Sequence, residues 1–126
     1  MSTPKVFDFT SDGITLVVVP LGSVGSLAGE DVNAELEDLV RRFGQSRLKH
    51  VVFDFHQVPY FGSTMLGAMH ALWKHVAAAN GKMAVCNVSD VEREVLDVSR
   101  FNTLWPVYAS REEALAAVSG EMKAES

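Results

Sequence analysis

The chain has 126 residues, 48% of them apolar and 21% charged, with a net charge of −5. That length forms one domain, 1–126 with a core of about 6–118, able to bury a globular core unaided, and the composition excludes bulk disorder. The acidic balance and the scattered Lys and Arg argue against a nucleic-acid binder, which needs clustered cations for phosphate.

Cys86 stands alone within the apolar run Met83-Ala84-Val85-Cys86, where it reads as a small buried hydrophobe. No disulfide can form within the chain, which fits a reducing compartment. Met1-Ser2-Thr3-Pro4-Lys5 lacks the layout of a signal peptide, and the longest apolar run, Leu16 to Leu21, is too short to cross a bilayer. The expectation is a cytoplasmic protein without membrane insertion.

In chain order, Val6 to Phe9 reads as a first strand and Ile14 to Val19 as a second, stopped by Pro20. Asp12-Gly13 between them predicts an antiparallel hairpin. Leu21 to Gly29, rich in Gly and Ser, reads as a loop. Glu30 to Phe43 places Val32, Leu36, Leu39, Val40 and Phe43 on one helical face, acid leading and base trailing, with Gly44 as the expected stop. Arg41 and Arg42, with Arg47 and Lys49, read as a solvated helix end.

Val51-Val52-Phe53-Asp54-Phe55 reads as a strand buried on both faces. A connection containing Pro59 follows, then Gly62, and a helix opens at Ser63 or Thr64. Leu66, Met69, Trp73 and Val76 form its stripe, and it ends at Asn80-Gly81. Met83 to Val88 is the next predicted strand. Ser89-Asp90-Val91-Glu92 is a capping box opening a helix expected to bury Val91, Val95, Leu96 and Val98. Phe101-Asn102-Thr103 breaks that helix. Leu104 to Tyr108 reads as a short strand, confined to a sheet edge by Pro106. Ser110-Arg111-Glu112-Glu113 is a second capping box, starting a helix with Ala114, Leu115 and Val118 inward, and the polar tail from Gly120 is expected to fray. The order β-β-α-β-α-β-α-β-α implies an α/β fold, a mixed, mostly parallel sheet with an N-terminal antiparallel hairpin and about four helices.

Candidate chemistry is sparse. His70 and His75 are five apart, on different helix faces, and His50 and His56 bracket a strand about 20 Å long if extended, so no shared metal is expected. Phe61-Gly62-Ser63-Thr64-Met65 lacks the second glycine of a nucleophile elbow, and no phosphate-binding or dinucleotide glycine pattern occurs. No cofactor is implied. The hydroxyl pair Ser63-Thr64 remains. Ser63 as a simple helix cap would contribute about 1 kcal/mol. As a phosphorylation site it would place a dianion where free N–H groups and the helix dipole favour it, leaving the fold intact while changing what can dock.

At these residues the chain resembles a STAS domain, the family of the bacterial anti-sigma factor antagonists. The resemblance runs from Phe7 to Val118. It is carried by Val51–Phe55 with Val58-Pro59-Tyr60-Phe61-Gly62-Ser63-Thr64-Met65-Leu66-Gly67, similar to the family's strand, Asp-Ser-Ser/Thr-Gly-Leu-Gly and helix. Leu104–Tyr108 with Ser110–Leu115 is similar to its closing strand and helix. The resemblance implies a STAS-like, non-enzymatic module that binds a kinase-type anti-sigma factor and so frees a sigma factor. It makes Ser63, with Thr64 as its alternate, the residue that this serine kinase phosphorylates and a phosphatase restores.

The implied partner surface is Tyr60, Phe61, Gly62, Ser63, Thr64 and Met65 with Ser23 and Ser26. This chain departs from the family at Gly62 (Asp in the motif), at Met65 (Gly), in the Ser23–Ser26 loop, which lacks an acidic residue, and at Arg100, a common glycine. Those departures leave open a constitutive scaffold or accessory subunit of a transporter or signalling complex. A serine hydrolase using Ser63 is a third reading, and it would need a His base within reach of that hydroxyl.

Overall fold

The apolar runs assemble into one five-stranded sheet in the order β1-β2-β3-β4-β5. The computed structural model describes residues 7–21, 29–45, 47–58 and 63–119; the side chains of 29–33 and of Ser63 lie outside that description. The strands are β1 (Phe7–Asp12), β2 (Thr15–Pro20), β3 (His50–Asp54), β4 (Met83–Cys86) and β5 (Val107–Tyr108). The helices are α1 (Gly29–Gln45), α2 (Ser63–Ala78), α3 (Asp90–Ser99) and α4 (Arg111–Ser119), with a 3-10 helix at Phe101–Thr103.

The hairpin forms as expected, β1 antiparallel to β2, but Asp12 pairs with Thr15, so the two-residue turn is Gly13-Ile14 rather than Asp12-Gly13. Gly13 takes φ 61°, the left-handed conformation such a turn demands. The remaining pairs are parallel. Pro20 closes β2 beyond the β3 ladder, which runs only to Val18 opposite Phe53, so its missing N–H breaks no bond there. β5 is an edge strand, with Pro106 just outside it.

Alternation along the strands divides the core in two. On one face Leu16, Val18, Val51, Phe53, Met83 and Val85 pack with Leu39 and Phe43 of α1, Met65, Met69, Leu72 and Val76 of α2, and Leu96 of α3. Phe53 meets Phe7 edge-on at 6.4 Å and stacks near Phe55 at 6.1 Å. Each such side chain contributes about 2 kcal/mol of burial. On the other face Val52, Ala84 and Cys86 pack with Ala114 and Val118 of α4.

Two sequence expectations change here. Gly44 does not stop α1, which runs through to Gln45. In α3, Val91 and Val98 face solvent, Val98 being 78% exposed, while Glu92 and Leu96 turn inward. The capping box explains the rotation. Ser89 Oγ accepts from the Glu92 N–H at 3.1 Å, and Glu92 Oε1 accepts from the Ser89 N–H at 2.9 Å, folding the carboxylate against the helix start. Leu96, one turn on, then shares its face. At the helix end Arg100 adopts φ 67°, a left-handed position that glycine suits best.

Candidate functional site

The carboxyl ends of β3 and β4 and the first turns of α2 and α4 converge on one end of the sheet. Asp54 ends β3, and alternation from Val52 sends its side chain to the face covered by α4. It is only 2% exposed. A buried carboxylate must find donors, and it finds them on three elements. Arg111 at the start of α4 donates from Nε to Oδ2 at 2.9 Å, and Asn87 just past β4 donates from Nδ2 to Oδ1 at 2.9 Å. The His56 backbone N–H donates to Oδ1 at 3.0 Å, and the His56 ring nitrogen Nδ1 lies 3.0 Å from the same oxygen. Burial by itself pushes the Asp54 pKa up. The bonds from Asn87, Arg111 and His56 outweigh it and hold the carboxyl below the usual carboxylate value.

This cluster shapes the chain leaving β3. The bond from the His56 N–H closes an Asx turn on Asp54, and the Val58 N–H then donates to the Phe55 carbonyl at 3.1 Å. Asn87 sits at φ 58°, which swings its amide toward Asp54. His56 and Gln57 are exposed, the His56 side chain by 44%.

Of the residues expected to meet a partner, Thr64 is exposed in the first turn of α2. Met65 is a correction: at 2% exposure its side chain belongs to the core between α1, α2 and the sheet, because the helix stripe turns it inward with Met69 and Leu72. Ser63 opens α2, with its side chain outside the described residues, as are Tyr60, Phe61, Gly62, Ser23 and Ser26. α2 has no acidic residue in its first turn, whereas α3 has Asp90 and Glu92 and α4 has Glu112 and Glu113. Its positive dipole end is therefore uncompensated by its own side chains.

Sequence reasoning missed Asp54, Asn87 and Arg111. One signal was available: an acidic residue inside a doubly buried strand is an anomaly that requires partners. The partners themselves, 33 and 57 residues away, could not be read from spacing. Asp54 and His56 also form an Asp–His pair that spacing did not foresee. Among the described residues no hydroxyl bonds the His56 ring, and no group of three His, Cys, Asp or Glu is placed to hold a metal. Cys86 is fully buried, and burial, with the Asp54 charge adding to it, pushes its thiol to about 12, so it is not a thiolate at neutral pH.

The sequence and the fold match known proteins. BtrV of Bordetella bronchiseptica, provisionally named an anti-sigma factor antagonist, is 33% identical over 106 residues, covering 84% of this chain and 87% of BtrV. Three solved structures share the fold. An anti-sigma-factor antagonist (STAS) domain protein from Planctomyces limnophilus has a TM-score of 0.77 at 24% identity, covering 90% of this chain and 97% of that one. The anti-sigma factor antagonist SpoIIAA in its unphosphorylated form has a TM-score of 0.76 at 20% identity, covering 90% and 96%. SpoIIAA of Bacillus in its phosphorylated form gives 0.65 at 20% identity, covering 89% and 98%. The model of the STAS domain matches residues 10–114. With this match, the sheet order, the strand that ends at Asp54 and the helix that opens at Ser63, the chain belongs to the STAS domain family.

Proposed function

We propose that this protein is an anti-sigma factor antagonist: a non-enzymatic module that binds an anti-sigma factor serine kinase and is released when Ser63 is phosphorylated. The observation that carries the reading is the start of α2. There the position matched to the family's acceptor opens a 16-residue helix whose first turn holds no acidic residue. A phosphate at this point meets free N–H groups and the dipole, so the fold accommodates it. A partner docked on the same end meets nearly two added negative charges and is displaced. The relatives support this role, BtrV by its name and SpoIIAA by existing in phosphorylated and unphosphorylated forms.

The test is intact mass after incubation with ATP and the kinase. A gain of one phosphate, lost in Ser63→Ala and retained in Thr64→Ala, together with loss of the kinase complex on gel filtration, is the expected result. No gain with a kinase active on another antagonist would overturn it. That outcome would favour a constitutive scaffold, a reading to which buried Met65, in place of the family's glycine, lends support.

A further inference from the structure

The bonds to Asp54 join elements that the docking surface has no evident need of. α4 packs on the sheet face opposite α1 and α2, yet its first residue reaches Asp54, 57 positions earlier in the chain. Oδ2 bonds Arg111, and Oδ1 gathers Asn87, the His56 ring nitrogen and the His56 backbone N–H. The last of these defines the turn at 55–58, from which five peptide steps lead to Ser63, a tether of at most about 18 Å. Any movement of α4 that withdraws the guanidinium leaves a buried carboxylate short of a donor and free to turn away from its remaining contacts, the Asx turn among them.

We propose that Asp54 is a positioning residue that ties the turn at 55–58, upstream of Ser63, to β4 and α4, so that phosphorylation of Ser63 depends on Arg111. The first half stands on geometry alone; the second rests on the reading of Ser63 as the modified residue. Asp54 touches no phosphate in this scheme. It holds the turn at 55–58 from which the chain continues to Ser63.

The experiment is amide hydrogen exchange on the full chain for wild type, Arg111→Gln, Arg111→Lys and Leu115→Ala. Arg111 is partly exposed, so its replacement leaves the core intact. Leu115 packs α4 onto its face of the sheet, has no side-chain group that can donate to Asp54, and serves as the control for loosened α4 packing. The expected result is that Arg111→Gln speeds exchange at His56 and Val58 by about tenfold, the scale of losing one charged hydrogen bond, and leaves α1 unchanged. Arg111→Lys restores part of the protection and Leu115→Ala does not reproduce the pattern.

Unchanged exchange at His56 and Val58, or equal acceleration across α1 and β4, overturns the proposal. So does a Leu115→Ala variant with the same local pattern. Phosphorylation by the kinase separates the two readings. If wild type is modified and Arg111→Gln is modified with a kcat lower by about tenfold at similar KM, both halves hold; equal kcat sinks the dependence of Ser63 on Arg111. If wild type gains no phosphate while the exchange pattern appears, Asp54 keeps its positioning role and the reading of Ser63 falls.

Discussion

Replacing Glu92 by Gln reverses a pH-dependent cost carried by the folded state. Glu92 is fully buried at the start of α3. Oε1 accepts the Ser89 N–H, and Oε2 has no hydrogen-bond partner among the described residues. Burial therefore raises the carboxyl to about 7, opposed in part by its bonds to Ser89. The sign follows from linkage. With a folded pKa near 7 and an ordinary value of 4.5, the folded state binds more protons between those limits. The stabilisation is complete below pH 4.5 and is lost as pH rises through 7. At 1.36 kcal/mol per pKa unit the full swing is roughly 3 kcal/mol, or about 10 °C in Tm for a domain of this size.

Glu92→Gln keeps the oxygen that caps Ser89 and removes the ionisation. Its buried amide carries a cost of its own, independent of pH. The readout is therefore the difference in urea-unfolding free energy between variant and wild type at pH 4.5, 6, 7 and 8. That difference should move in favour of the glutamine by roughly 3 kcal/mol from the lowest pH to the highest. A flat difference across this range, or one that moves against the glutamine, refutes the argument that the buried carboxyl titrates near neutrality.

Two further substitutions test the backbone. A Cβ at Gly81 would fall on the Lys49 carbonyl oxygen, with Val76 closing the other side at 3.1 Å, so Gly81→Ala must displace the link between α2 and β4. A loss of about 2 kcal/mol or more by urea unfolding is expected; a loss under about 0.5 kcal/mol would contradict the close approach. Arg100 holds φ 67° at the end of α3 with its side chain exposed, so Arg100→Gly relieves a left-handed strain. It should raise stability by about 0.5–1 kcal/mol, less the entropy that glycine adds to the unfolded chain, and a clear fall in Tm would count against it.

Much of the architecture was legible because it depends on local pattern. The β-branched runs, the two serine-led helix starts and the Asp12-Gly13 signal, one residue off the turn itself, each specify structure over a few residues. The strand and helix order followed, with Pro106 placing β5 at an edge. Errors arose where one helical stripe competed with another. Leu96 and Val95 turn inward as their spacing implies, but Val91 and Val98 fit the same stripe, and only the docking of α3 on the sheet put Glu92 inside in their place. Met65 failed as a surface contact for the same reason: a motif position says nothing of which way a helix face turns.

The sequence by itself determined the kind of sheet, the helices that cover it and the position at which a hydroxyl opens α2, since periodicity and capping are read over neighbouring residues. Only the tertiary structure decided that Asp54 is held by Asn87 and Arg111, that Glu92 is sealed inside, and that α4 reaches the same end of the sheet as α2. Those facts depend on groups far apart in the chain, brought together because a buried charge must be met by donors from wherever the fold supplies them.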